Sequence, residues 1–165
     1  PEKNVRTLAE VEKILLAEGE SNFLFSIVGS GGEQTWLAEN IQNLELPGVL
    51  RGEALAEAYA NMDVFAFTST TDTFGNVVQE AFASGVPAVV TPGGGPKFII
   101  RENVTGFVAH DAAEFAAHIR MLMADRARLA EMKRAARAQA LEATWDKVFE
   151  GVYRAYDYCL HEAGC

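Results

Sequence analysis

The 165-residue sequence predicts an α/β domain: a doubly wound parallel sheet with helices on both faces and extra helices at the C-terminal end. Three observations predict it. Short runs rich in Val, Phe and Ile alternate with helical patterns in the order βαβα, as parallel strands joined by crossover helices require. Those runs lack strict polar alternation, which marks strands covered on both faces. Gly-rich or polar turns, at 29–32 and 69–75, stand where a strand hands over to a helix, the place where open α/β sheets bind ligands.

Strands are expected at 23–28, 49–50, 64–68, 87–91 and 106–109, and helices near 5–17, 33–42, 55–61, 76–84 and 97–101. Further helices are expected at 112–123, 126–141 and 145–161 with no strand between them. The last carries Trp145, Val148, Phe149, Val152, Tyr153 and Tyr156 at helical spacing, and the simplest role for such a stripe is core packing. There is no internal repeat and no low-complexity linker, so one domain is expected. Pro1-Glu2-Lys3-Asn4 runs directly into a helix with Val5, Leu8, Val11 and Leu15 on one side. A doubly wound domain places a strand before such a helix, so the first strand is expected to lie outside this sequence.

Composition narrows the function. Hydrophobic residues make up 49%, which suits a globular, soluble chain. No apolar run approaches the roughly 20 residues that span a bilayer, and no secretory signal opens the sequence. With 14 Lys and Arg against 23 Asp and Glu, the net charge is −9. That balance excludes nucleic acid as a partner, since phosphate backbones demand a basic surface. It leaves room for a small phosphate site built from a few donors. Cys159 and Cys165 lack metal spacing and suggest a reducing compartment. His110, His118 and His161 are scattered, so no metal site is expected.

The chemistry concentrates in two turns. Gly29-Ser30-Gly31-Gly32 has the position of a phosphate-binding turn, but Gln34 stands where a dinucleotide fingerprint needs glycine, so a nicotinamide cofactor is disfavoured. The stronger segment is Asp72-Thr73-Phe74-Gly75-Asn76-Val77-Val78-Gln79-Glu80. The amides of Phe74, Gly75, Asn76 and Val77 open a helix, where N–H groups have no intrahelical acceptor. Gly75 permits close backbone approach. Asp72 and Glu80 bracket the turn, and carboxylates accept hydrogen bonds from vicinal hydroxyls. A ligand with phosphate in the middle and polyols at both ends fits this layout. Capping explains the same residues: Asp72 or Thr73 as N-cap, Asn76 with Gln79 as a capping pair, and Glu80 at the positive end of the helix dipole.

Asp72 and Glu80, seven residues between them, followed by Ala81-Phe82-Ala83-Ser84-Gly85-Val86-Pro87-Ala88-Val89-Val90, resemble the acidic-x7-Glu motif of GT-B retaining glycosyltransferases, in particular glycosyltransferase family 4. The first acid is Asp rather than the commoner Glu. The resemblance extends through Phe25 to Gly31, Leu50-Arg51-Gly52, Leu55 to Asp63, Gly94-Gly95-Pro96 and Thr105 to Val108, with Lys97 where the family often carries an acid. It implies a Rossmann-like C-terminal donor-binding domain spanning residues 1–165, half of a GT-B fold. It also implies transfer of a sugar from a nucleoside-diphosphate sugar with retention, without a metal or other cofactor.

The same resemblance implies the roles. Asp72 takes the donor sugar hydroxyls, with Thr73 and the amides of Phe74 to Val77. Glu80 takes the ribose. Lys3 balances charge on the departing diphosphate, which makes Asp72 and Lys3 the catalytic candidates. Gly29 belongs to the donor site, and Gly52 and Glu53 lie near the base. The expected partners are the nucleotide-sugar donor, an N-terminal domain not contained in the sequence, and an acceptor glycan, lipid or small molecule. The location is expected to be cytoplasmic, or peripheral at the inner membrane face through that other domain. Without it the chain is expected to bind nucleotide and transfer nothing. Two other classes remain open: another GT-B nucleotide-sugar enzyme such as an epimerase, and a non-catalytic flavodoxin-like binding module.

Overall fold

The structure, a computed structural model, describes residues 3–161. Pro1, Glu2 and Cys165 lie outside them. The elements follow in the order α1 (Thr7–Ala17), β1 (Phe25–Val28), α2 (Gln34–Asn40), β2 (Leu44–Gly48), α3 (Gly52–Ala60), β3 (Phe65–Phe67), α4 (Asn76–Ala83), β4 (Ala88–Val90), a 3₁₀ turn (Pro96–Phe98), β5 (Gly106–Val108), α5 (Ala112–Ala124), α6 (Arg126–Glu142) and α7 (Trp145–His161). All strand pairs are parallel, as expected.

The strands form two sheets, β1–β2 and β3–β4–β5. β4 is central in the second and all three of its residues are buried, which explains its unbroken run of small and β-branched apolar residues. Among the described residues β1 and β3 are not hydrogen-bonded to each other, although Phe25 and Ala66 pack against the same clusters. Each sheet therefore has an edge facing the other.

Helices cover the sheets on both faces. α1 and α5 pack together around Val11, Leu15, Phe107, Phe115 and Leu122, while α4 packs on α6 over Val78, Phe82 and Ala136. Phe82, Phe107 and Phe115 are almost fully enclosed, each contributing roughly 1.5–3 kcal/mol by burial. Glu12 is also buried, and its carboxylate accepts the amides of Gln42 at 2.8 Å and Asn43 at 2.7 Å. It anchors the turn before β2 to the middle of α1.

Three expectations change. The strand expected at 49–50 lies earlier, at Leu44–Gly48. Pro47 obscures it, because proline removes a ladder donor and is tolerated only at edges or bulges. β2 pairs with β1 alone, and its register slips beside Pro47. The helix expected at 97–101 is a three-residue 3₁₀ turn. Finally, no residue of α7 is buried among the described residues, and Trp145 is 77% exposed. Its apolar stripe does not pack on this core. No helix among the described residues is long and apolar enough to cross a membrane.

Candidate functional site

The site forms where β3 and β4 end. The two strands run in register, Phe67 beside Val90, so the loops that follow them emerge together. Thr91 donates its hydroxyl to the Ser69 carbonyl, and Gly95 donates its amide to the Asp72 carbonyl at 2.9 Å. The contact is so close that side chains are excluded: a Cβ on Gly95 would lie 2.1 Å from the Thr73 oxygen, and one on Gly94 2.2 Å from the Asp72 oxygen.

Asp72 is held from two sides. Its Oδ1 accepts the Gly75 amide at 2.9 Å, and its Oδ2 accepts Lys3 Nζ at 3.0 Å. The bond from Lys3 is the main reason its carboxyl titrates below the ordinary value; partial desolvation opposes it, and the Gly75 and Phe74 amides reinforce it. Asp72 thus satisfies an orphan donor just before α4, as a cap does, and its side chain remains partly exposed. Gly75 takes a left-handed conformation, φ 89° and ψ 48°, which favours glycine. The space opened by its missing side chain is filled by Pro96, 2.8 Å from a hypothetical Cβ, rather than left for a ligand. Asn76 and Val77 begin α4, and Phe74 beside them is 56% exposed. Gly85, at φ 72°, ends the helix, with Val86 donating to the Ala81 carbonyl, a left-handed C-terminal cap.

Lys3 is fixed by its backbone as well as its charge. Thr68 donates its hydroxyl to the Lys3 carbonyl at 2.7 Å, and the ammonium stands 5.5 Å above the Phe67 ring. Lys3 also lines a cavity of about 440 Å³ with Gly29, Gly31 and Gly32. The first glycine turn therefore faces the same space as the cation. In that space Arg6 bonds Glu33 at 2.6 Å and lies 4.6 Å over the Trp36 ring. A larger cavity, about 550 Å³, is lined by Asn103, Asp125, Arg128 and Glu131. It lies beside the loop entering β5, at the opposite end of the strands.

Glu80 is exposed on α4, and its Oε2 accepts the hydroxyl of buried Tyr59 at 3.0 Å. Gly52, φ 55°, and Glu53 open α3, the helix that carries Tyr59 near its other end. The structure thus brings together Lys3, Asp72, Gly75 and the Gly29 turn, and ties Glu80 to α3. Among the described residues no hydrogen bond or ion pair joins Gly52 or Glu53 to those residues. Tyr59, Thr68, Arg6 and Glu33 are members of the site to which the motifs assign no role; only Tyr59 lies inside a stretch that resembles the family.

The glycosyl transferases group 1 profile matches residues 1–139. The chain belongs to that family. A GDP-mannose-dependent alpha-mannosyltransferase of Mycolicibacterium smegmatis is 37% identical over 163 residues, covering 97% of this chain and 41% of that protein. The chain therefore spans less than half the length of this relative. The crystal structure of TarM superposes with a TM-score of 0.83 at 22% identity, over 93% of this chain and 32% of that one. The C-terminal domain of a glycosyl transferase group 1 family protein from Francisella tularensis matches with a TM-score of 0.73 at 15% identity, over 86% of this chain and 80% of that one. The fold of this group 1 chain is thus the Rossmann-like half of a GT-B glycosyltransferase.

Proposed function

We propose that the chain is the C-terminal, donor-binding domain of a retaining mannosyltransferase that uses GDP-mannose, and that it transfers no sugar without an N-terminal acceptor domain. The observation that carries this reading is the Lys3–Asp72–Gly75 constellation at the start of α4, with Glu80 one turn further along the helix. The relative's GDP-mannose dependence supplies the base and sugar. The facing edges of β1 and β3 favour a further strand between them. The exposed stripe of α7 suits a surface that the other domain covers. A structural neighbour that is itself a C-terminal domain supports the boundary.

In this reading Asp72, held by the Gly75 amide and aided by Thr73 and the amides of Asn76 and Val77 at the start of α4, receives the sugar hydroxyls, and Glu80 receives the ribose hydroxyls. The reacting bond joins the anomeric carbon to the diphosphate. As it breaks, negative charge grows on the leaving phosphate oxygen. Lys3 and the N-terminus of α4 are already in place to meet that charge, and such preorganised electrostatics is often the largest single catalytic contribution. Gly29 lets the backbone approach the diphosphate, and Gly52 and Glu53 stand on the base side. The family resemblance favours a reaction without a metal, in the cytoplasm or at the inner membrane face through the other domain.

Calorimetry on the chain with GDP, UDP and ADP tests the donor assignment, with GDP expected to bind tightest. No binding of any of the three, and no shift in melting temperature, would favour a non-catalytic module instead. Transfer of mannose from GDP-mannose by this chain alone would overturn the half-enzyme reading.

A further inference from the structure

We infer that Tyr59 is a positioning residue for Glu80: its hydroxyl holds one carboxylate oxygen so that the remaining lone pairs meet a ribose cis-diol in a fixed orientation. The inference rests on the ribose role proposed for Glu80 and names what gives that carboxylate its geometry.

Glu80 alone would be a poor clamp. It is an exposed side chain with three rotatable bonds, and freezing such a chain on binding costs affinity. Tyr59 removes much of that freedom. Tyr59 is 7% exposed, and it packs in a cluster with Ala81, Val86, Leu55, Met62 and Phe65. The Phe65 ring lies 5.9 Å from it, and Phe67 stacks on Phe65 at the same spacing. Lys3 stands above Phe67. A continuous aromatic column thus runs under the site from the cation on the diphosphate side to the carboxylate on the ribose side.

The ring is wedged, so the direction of its hydroxyl is set by packing. That hydroxyl donates to Glu80 Oε2 at 3.0 Å. Burial, and then the bond to Glu80, push the phenol above its ordinary value, so it remains a donor at neutral pH. The bond uses one lone pair of Oε2. A second on Oε2 and both on Oε1 are left for ligand hydroxyls. A buried phenol needs a partner for its own sake, and that requirement alone would make the contact structural. The two roles differ in what they predict for ligands that lack a hydroxyl.

The test compares GDP with 2′-deoxy-GDP by calorimetry on the unaltered chain, Tyr59→Phe and Glu80→Gln, with melting temperatures as the check on folding. Tyr59→Phe keeps the ring and its packing. It is expected to weaken GDP about fivefold, the scale of one modest hydrogen bond, and to weaken 2′-deoxy-GDP less, because only its 3′-hydroxyl remains for Glu80, so that the preference for ribose shrinks. Equal weakening of both nucleotides, or no weakening of either, would overturn the positioning role. Glu80→Gln separates this from failure of the underlying reading. If that variant keeps the full preference for GDP over 2′-deoxy-GDP, or the unaltered chain shows none, the ribose assignment falls and takes the Tyr59 inference with it. If Glu80→Gln loses the preference and Tyr59→Phe does not, only the Tyr59 inference is lost.

Discussion

Gly29, Gly31 and Gly32 would each meet nothing within 4 Å if given a side chain, whereas Gly93, Gly94 and Gly95 would each drive a Cβ to within 2.6 Å of a backbone oxygen. The two glycine-rich turns look alike in sequence and are needed for opposite reasons. In the first, absent side chains leave a cavity wall of bare backbone facing Lys3. In the second, they let the loop after β4 press against the loop after β3, and so fix Asp72 from behind. One turn is open for a ligand; the other is closed by the protein itself.

The sharpest way to break this contrast is Gly95→Ala. Its Cβ would sit 2.1 Å from the Thr73 oxygen and 2.7 Å from the Thr73 carbonyl carbon, both backbone atoms that cannot swing aside. A loss of about 3 kcal/mol is expected, read as a lower urea midpoint with an unchanged slope. Stability equal to the parent would show that the two loops are not locked.

A smaller effect is expected at the pair that the locked loop presents. Lys3→Met removes the main cause of the lowered Asp72 titration and leaves partial desolvation, which raises it, against the amides of Gly75 and Phe74, which lower it. The Asp72 carboxyl should therefore titrate at higher pH than in the parent in a carbon-detected NMR titration. The sign for stability follows. A carboxyl with a depressed folded pKa adds stability above its unfolded value, near 3.9, and loses it as pH falls through the folded value. Acidification below about pH 4 should then cost the variant less than the parent. An unmoved Asp72 titration would mean that the Lys3 contact is not made in solution.

The smallest structural effect is expected in the open turn. Gly31→Ala should leave stability within about 0.5 kcal/mol of the parent, because nothing lies near the new methyl group. Its cost should appear in GDP affinity, since the methyl points into space that Lys3 shares. A large stability loss with GDP affinity intact would reverse the assignment of the two turns.

Local structure was legible where the signal was local. Gly85 marks the end of α4 through a left-handed cap, and the apolar runs at 64–68 and 87–91 contain β3 and β4. β2 was hidden because Leu44-Glu45-Leu46-Pro47-Gly48 combines weak alternation with a proline. The site was legible only in part. Asp72 and Glu80 stand eight positions apart on a turn and its helix, so sequence alone suggests that they share a face. The bond from Tyr59 to Glu80 crosses 21 positions, and the pairing of Lys3 with Asp72 crosses 69. Such contacts depend on which helix the sheet brings alongside, and periodicity carries none of that. Lys3 enters the site only through family resemblance, while Tyr59 has no local feature to separate it from an ordinary core aromatic. The buried carboxylate of Glu12 was equally silent, because its partners are backbone amides 30 and 31 positions away.

The 17 residues of α7 have no buried member, so nearly all of the free energy that keeps them helical must come from within the helix. Isolated helices become marginal in water below about 12–15 residues even when Ala-rich, and α7 is only slightly longer. The amide hydrogens of this segment in the chain alone are thus protected by little more than fraying equilibria, and they exchange with solvent without any disturbance to the sheet. Those of β4, enclosed on both faces, wait for the whole domain to open. The molecule is held by two clocks, one set by a single helix and the other by its core.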